Sequence, residues 1–232
     1  NIVTLMDKRV DDERQKKDLE YQILQSQINP HFLYNTLNSI KWMATIQNAT
    51  GIAEMTTSLA RLMKNVSKGT AAQIPLKEEL DLVKDYFLIQ QYRYGGSITL
   101  DCRIESEELY RCLIHRFTLQ PIIENALFHG IEPKGCAGHI LLSAERVQSD
   151  RLGTVLQISV TDNGVGMSRE QIEKVLSAQS APSADFFRQV GIHNVNQRIH
   201  YDFGEDYGIS IDSVEGQYTT MTITLPYRLN EL

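Results

Sequence analysis

Cysteine is scarce: the 232 residues hold three, Cys102, Cys112 and Cys136. None stands in a C-x-x-C pair, and no histidine has metal-site spacing to them. A disulfide framework and a structural zinc site are both excluded, and the three read as reduced thiols of a cytosolic compartment. Basic residues are in deficit, 23 Lys and Arg against 29 Asp and Glu, for a formal net charge of −6. That argues against a protein whose main work is gripping nucleic-acid phosphates, and no nucleic-acid partner is expected. No apolar run approaches the ~18 residues a membrane-spanning helix needs, and no signal-peptide pattern opens the chain. It starts at Asn1 rather than Met and reads as a piece of a longer protein. What is present is ordinary globular material: 42% apolar and 22% charged residues exclude wholesale disorder and collagen-like repeats. The length suits one large domain or two modest ones.

The first third carries no strand signal. Asp7 to Lys17 interleaves both charge signs, as the solvated face of a helix does. Leu19, Ile23, Leu24 and Ile28 follow at helical spacing. The pattern resumes after Pro30 with Phe32, Leu33, Leu37 and Ile40, and again with Met55, Leu59, Leu62 and Met63. Asn48 to Gly51 reads as the turn between them. The result is a helical hairpin, which two helices alone cover poorly; dimerisation into a four-helix bundle solves that. The small, polar stretch Ser67 to Gln73 marks a boundary, so the domains are expected at 1–72 and 73–232.

Beyond it, Leu76 to Tyr94 reads as an amphipathic helix stopped by Gly95-Gly96. Short β-like runs follow at Ile98–Ile104, His139–Val147, Thr154–Thr161, Gly208–Val214 and Tyr218–Pro226. Helical stretches at Phe117–Phe128, Gln171–Leu176 and Gly191–Tyr201 interrupt them. The class is α+β, with helices on one face of a mostly antiparallel sheet.

Four segments carry chemistry. Asp162-Asn163-Gly164-Val165-Gly166 follows a strand; the carboxylate suits an exocyclic amine such as adenine N6, and the glycines let backbone approach a flat ring. An ordinary Asx turn fits the same residues. In Leu119 to Ala126, Glu124 and Asn125 are polar in an apolar helical run. Their oxygens suit Mg²⁺ bound also to nucleotide phosphates, and a pair of exposed helix residues is the plain alternative. Gly191 opens a probable helix, whose N–H groups would seat a phosphate. The small, polar Ser177 to Gln189 ahead of it reads as a lid or a surface loop. Gly216 with Thr219-Thr220 closes a last hairpin. Upstream, His31 shares a helix face with Asn35 and Asn38; a neutral imidazole is a good nucleophile near pH 7.

The order of these segments over Leu76 to Pro226 resembles the Bergerat ATP-binding fold, an α/β sandwich shared by histidine kinases, Hsp90, gyrase B and MutL. The resemblance implies Asn125 on Mg²⁺, Asp162 on adenine N6, Gly164 and Gly166 shaping the pocket, and His129 facing the phosphates. It also implies Gly191 near them and Thr220 closing the adenine side. The string QSQINPHFLYNTLNSI from Gln25, together with LQPIIENALFHGI from Leu119, resembles the LytS/YesM-type sensor histidine kinases. Tyr86, Gln90, Gln91 and Arg93 lean the same way.

That family implies autophosphorylation of His31 by Mg-ATP, with Asn35 at its side. Glu124 is a candidate general base, and a structural or metal-shell role suits it equally. The family also implies transfer to an aspartate of a response-regulator receiver domain, a homodimer, and a membrane-anchored parent protein of which this is the cytoplasmic part. Two departures stand out. Gln189 replaces the first glycine of a G-x-G ahead of the Gly191 helix, and Phe32 replaces an acid directly after the phosphoacceptor. A Bergerat-fold ATPase or serine kinase needs no NPHFLYN segment. A degenerate kinase serving as a dimeric scaffold is favoured only by Gln189.

Overall fold

The computed structural model describes residues 30–66, 73–135, 137–177 and 186–230. The expected helix before Pro30, the boundary at 67–72, Cys136 and most of the lid lie outside the described residues, as does the side chain of His31. The chain divides into two units.

The first unit is a helical hairpin of α1 (Pro30–Ile46) and α2 (Thr50–Val66). Asn48 turns the chain at φ 56°, a left-handed conformation that asparagine tolerates better than most residues. The side chains buried in this unit are small: Ala44, Thr56, Ser58 and Ala60. The large apolar ones lie outside, with Phe32, Trp42, Met43 and Ile46 each more than 60% exposed.

The second unit is a five-stranded mixed sheet with helices packed on one face. The expected α+β class holds. Its elements begin with β1 (Gln73–Pro75), α3 (Leu76–Arg93), β2 (Ile98–Ile104), β3 (Leu113–His115) and α4 (Gln120–Asn125). They continue with β4 (Gly138–Ser149), β5 (Gly153–Asp162), α5 (Arg169–Ser177), α6 (Phe186–Phe203), β6 (Gly208–Val214) and β7 (Tyr218–Pro226). The strand order is β2-β4-β5-β7-β6, antiparallel except for the β2–β4 pair. A separate two-stranded piece pairs β1 with β3; three-residue strands leave no alternation to read. Strand periodicity sets the two faces of the sheet. Ile158, Val160 and Asp162 of β5 and Thr219, Met221, Ile223 and Leu225 of β7 are buried, while the residues between them are half-buried.

Helix α3 carries Leu76, Leu80, Val83 and Phe87 into that core, the spacing of one helical face. Among them sits Glu79, fully buried. Its two carboxylate oxygens accept the backbone N–H groups of Phe117 and Leu119, each at 2.9 Å. These are groups at the entry to α4, where a helix has N–H donors without partners of its own. Phe117 stands at φ 58°, a strained conformation for a bulky residue, at the turn this carboxylate holds. Burial pushes the Glu79 pKa up; the backbone N–H bonds and the Arg198 charge pull it back. Arg198 of α6 in turn donates to Thr118 Oγ1 at 3.0 Å, and His115 Nε2 meets Asp202 at 2.8 Å.

Removing this carboxylate strands buried donors. We expect Glu79→Ala to destabilise the second unit by about 3 kcal/mol and Glu79→Gln, which keeps one acceptor, by less. Denaturant unfolding of both variants measures it.

Candidate functional site

The site is built where α4, the β5 end and α5 meet. Helix α4 starts at Gln120-Pro121, proline being suited to a first turn whose N–H has no partner. After Asn125 the helix widens into a π turn over Ala126–Ile131. Such turns place side chains off the regular helical spacing and recur at functional sites. Asn125 and His129 both line a cavity of about 340 Å³, with Gly166, Met167, Lys174 and Val175 among its other walls. That volume is in the range of small-molecule sites.

Asp162 is not itself among the residues lining the cavity; it precedes the Val165–Met167 segment that does line it. It ends β5, is 2% exposed, and accepts the N–H of Gly164 at 2.8 Å through Oδ1. Burial raises its pKa to about 6, against the pull of that bond and of the Lys134 charge. Two glycines let the loop after Asp162 pack closely on the π turn. A methyl group on Gly130 would run into the Asp162 carboxylate, and one on Gly164 into the Gly130 backbone. The Val165 N–H bonds the Gly130 carbonyl at 2.9 Å, so the Asp162–Gly166 loop is fastened to the π turn. Gly166 adopts φ 71° against the Val214 carbonyl, which no other residue does without strain. Gly130 is thus as necessary to the seating of this loop as the two loop glycines.

Thr219, not Thr220, lies on Asp162's face of the sheet. The two pair directly, Asp162 with Thr219 and Thr161 with Thr220, and a one-residue step along a strand reverses the face. Thr220 Oγ1 meets Thr161 Oγ1 at 2.9 Å on the opposite side. Ser213 Oγ donates to the Tyr218 carbonyl at 2.7 Å and accepts the Met167 N–H at 2.8 Å. Its 3.0 Å contact with Thr219 Oγ1 is therefore donated by Thr219, whose lone pairs stay available.

One further expectation is corrected. Gly191 does not open its helix: α6 begins at Phe186, and Gly191 lies inside it. A methyl added there would sit 3.3 Å from Pro121, so its smallness serves α4–α6 packing rather than a phosphate seat. Glu124 is not among the residues lining the cavity. Its carboxylate accepts from Gln120 Nε2 at 3.0 Å and from the Tyr86 hydroxyl of α3, whose pKa burial and the Glu124 charge push up. Arg93, two turns along α3, lies 5.5 Å from the Phe128 ring. Glu124 and Phe128 are four apart and share a face, so Glu124 takes part in a helix–helix seam, the structural role open to it beside that of a general base. In the hairpin, Asn35 is an exposed residue of α1.

Comparisons with known proteins agree with this geometry. The "Histidine kinase" family model matches residues 19–98, and that of the "Histidine kinase-, DNA gyrase B-, and HSP90-like ATPase" matches residues 115–229. Sensor histidine kinase YesM of Bacillus subtilis is 35% identical over 229 residues, 98% of this chain and 37% of that protein. YwpD of the same organism is 32% identical over 209 residues, 89% of this chain and 70% of that protein. Full-length ShkA, solved in complex with AMPPNP, superposes with a TM-score of 0.50 at 16% identity, over 90% of this chain and 46% of that one. The second unit is thus an ATPase domain of the gyrase and Hsp90 type. The chain belongs to the histidine kinase family, on its LytS/YesM-like branch, and spans little more than a third of YesM.

The raised Asp162 pKa has a consequence for the unliganded protein. The folded state holds this proton up to about pH 6, whereas the unfolded chain releases it near the ordinary value of about 3.9. Stability is therefore lost as pH rises between those values and is level above them. We expect Asp162→Asn to remove that slope and to raise unliganded stability at neutral pH by roughly 1–3 kcal/mol. Thermal unfolding from pH 4 to 8 reads it.

Proposed function

We propose that this chain is the catalytic portion of a two-component sensor histidine kinase, with a phosphoacceptor hairpin in residues 1–72 and an ATP-binding domain in 73–232. The observation that carries the proposal is a buried carboxylate, Asp162, at the start of the loop whose Val165, Gly166 and Met167 line one cavity with Asn125 and His129. It is joined in one chain to the NPHFLYN segment at His31. ATP binds with its exocyclic amine donating to Asp162 and its ring on the Gly164–Met167 backbone. ShkA, which shares the fold, holds AMPPNP.

Asn125 fits a magnesium site: its carboxamide is 8% exposed, lines the cavity and offers the hard oxygen such an ion takes. Magnesium supplies neutralisation of phosphate charge. His129 stands beside Asn125 on the cavity wall and donates to the phosphate chain. The unprotonated imidazole nitrogen of His31 attacks the γ-phosphorus. The bond to the β–γ bridging oxygen breaks, ADP departs, and the second imidazole nitrogen gives its proton to solvent. Catalysis is largely positioning and charge stabilisation, as in phosphoryl transfer generally. Asn35, one turn along α1, holds a phosphoryl oxygen or an attacking water. The phosphoryl group then passes to an aspartate of a response-regulator receiver domain.

The exposed Trp42, Met43 and Ile46 suit a homodimer built on the hairpin, since an exposed apolar face of this kind marks an interface. Among the described residues no helix is long and apolar enough to cross a membrane; the membrane anchor is assigned to the parent protein, and this part to its cytoplasmic side.

We expect γ-labelled ATP to leave an acid-labile, base-stable label on the chain, lost in both His31→Gln and Asp162→Asn. Label that survives His31→Gln overturns the phosphoacceptor assignment. ATP hydrolysis without label favours the ATPase reading, and no nucleotide binding favours the scaffold. We also expect Ile46→Asp to shift the chain from dimer to monomer in analytical ultracentrifugation.

A further inference from the structure

The cavity has one wall that neither the sequence motifs nor the family boxes assign. Helix α5 turns Lys174 and Val175 to it, together with Gln171 one turn earlier; these positions share a helical face. The helix is fixed at its start: the Ser168 N–H donates to Gln171 Oε1 at 2.8 Å, and Met167 is fastened to Ser213. Its other charges look elsewhere. Arg169 pairs with Glu173, one turn on, at 3.5 Å. Among the described residues Lys174 forms no ion pair, and it is the only side chain of fixed charge on the cavity wall. A chain of net charge −6 that takes up a polyanion needs a local cation to offset its own field.

We propose that Lys174 binds the phosphate chain of the nucleotide, making α5 a reader of phosphate rather than only a cover for the base. This rests on the reading of the cavity as an ATP site. The adenine end is set by Asp162, which is buried behind glycines, and by Thr219; neither can serve a phosphate. Asn125 and His129 hold the phosphate end from α4. Lys174 lines the same space from a separate element, and an ammonium ion on a flexible stem follows a phosphate chain without demanding one geometry. Charge-assisted bonds of this kind are the stronger class of hydrogen bond, so the residue separates phosphorylated from unphosphorylated ligands.

The test is equilibrium binding of ATP, ADP and adenosine, each with magnesium, to the whole chain and to its Lys174→Gln and Lys174→Arg variants. Calorimetry reads the nucleotides and ligand-observed NMR reads adenosine. The expected result is an about tenfold loss of ATP and ADP affinity in Lys174→Gln. Adenosine affinity should stay unchanged, Lys174→Arg should restore most of the loss, and the salt dependence of ATP binding should weaken in Lys174→Gln. Unchanged ATP affinity in Lys174→Gln overturns the proposal. So does an equal loss for adenosine, which would make the residue structural. An unsubstituted chain that binds none of the three overturns the ATP reading of the cavity itself, and the proposal with it.

Discussion

The carboxylate of Glu79 governs the second unit. It is fully buried on α3, and it accepts the N–H groups that open the next helix forty residues along the chain. A buried charge is tolerated only where it is satisfied, so α3 and the turn at Phe117 hold each other in one arrangement. From that turn the dependence runs forward. It fixes the start of α4, hence the direction of Asn125 and the phase of the π turn. The π turn presents Gly130, and the Asp162–Gly166 loop is seated on Gly130. The pocket is thus assembled by a relay of backbone placements, each set by the one before it.

A second constraint is the room left by absent side chains. The loop from Asp162 seats on the π turn because Gly130 and Gly164 carry no Cβ, and Gly166 holds a conformation other residues resist. Burial raises the pKa of Asp162 to about 6. The site therefore holds a carboxylate that gains from a hydrogen-bond donor and loses little water when one arrives. Around it the polar groups are matched: Thr219 donates to Ser213, Ser213 donates to Tyr218 and accepts from Met167. What remains unmatched on that face is acceptor capacity, the complement of an amine.

Much of this was legible in the sequence because it is local. Alternation in Ile98–Ile104, Gly208–Val214 and Tyr218–Pro226 located three strands to the residue, and helical spacing from Leu76 located α3. Asp162 was legible as the end of a strand, β5 closing at it, while the motif alone fits an Asx turn as well. The residues misread or missed depend on distant partners. Glu79 drew no reading from the sequence at all, because its donors at Phe117 and Leu119 are invisible to any window. The bond of Glu124 with Tyr86 of α3 likewise joins residues that no window spans. Thr219 and Thr220 differ by one step of register, which only the pairing with Asp162 decides. Gly191 looked like a helix start because its upstream residues carry no strong helical pattern, while the packing against Pro121 explains why a glycine stands inside α6.

The central claim is that Asp162 reads the exocyclic amine of adenine. The most direct measurement is the affinity of the whole chain for ADP against inosine diphosphate, which carries a carbonyl oxygen in place of that amine. It is made at pH 7.5 for the unsubstituted chain and for Asp162→Asn. Strong preference for ADP that collapses in Asp162→Asn is the result this account requires. Equal affinity of the unsubstituted chain for the two nucleotides, or a preference for ADP that survives Asp162→Asn, would contradict it.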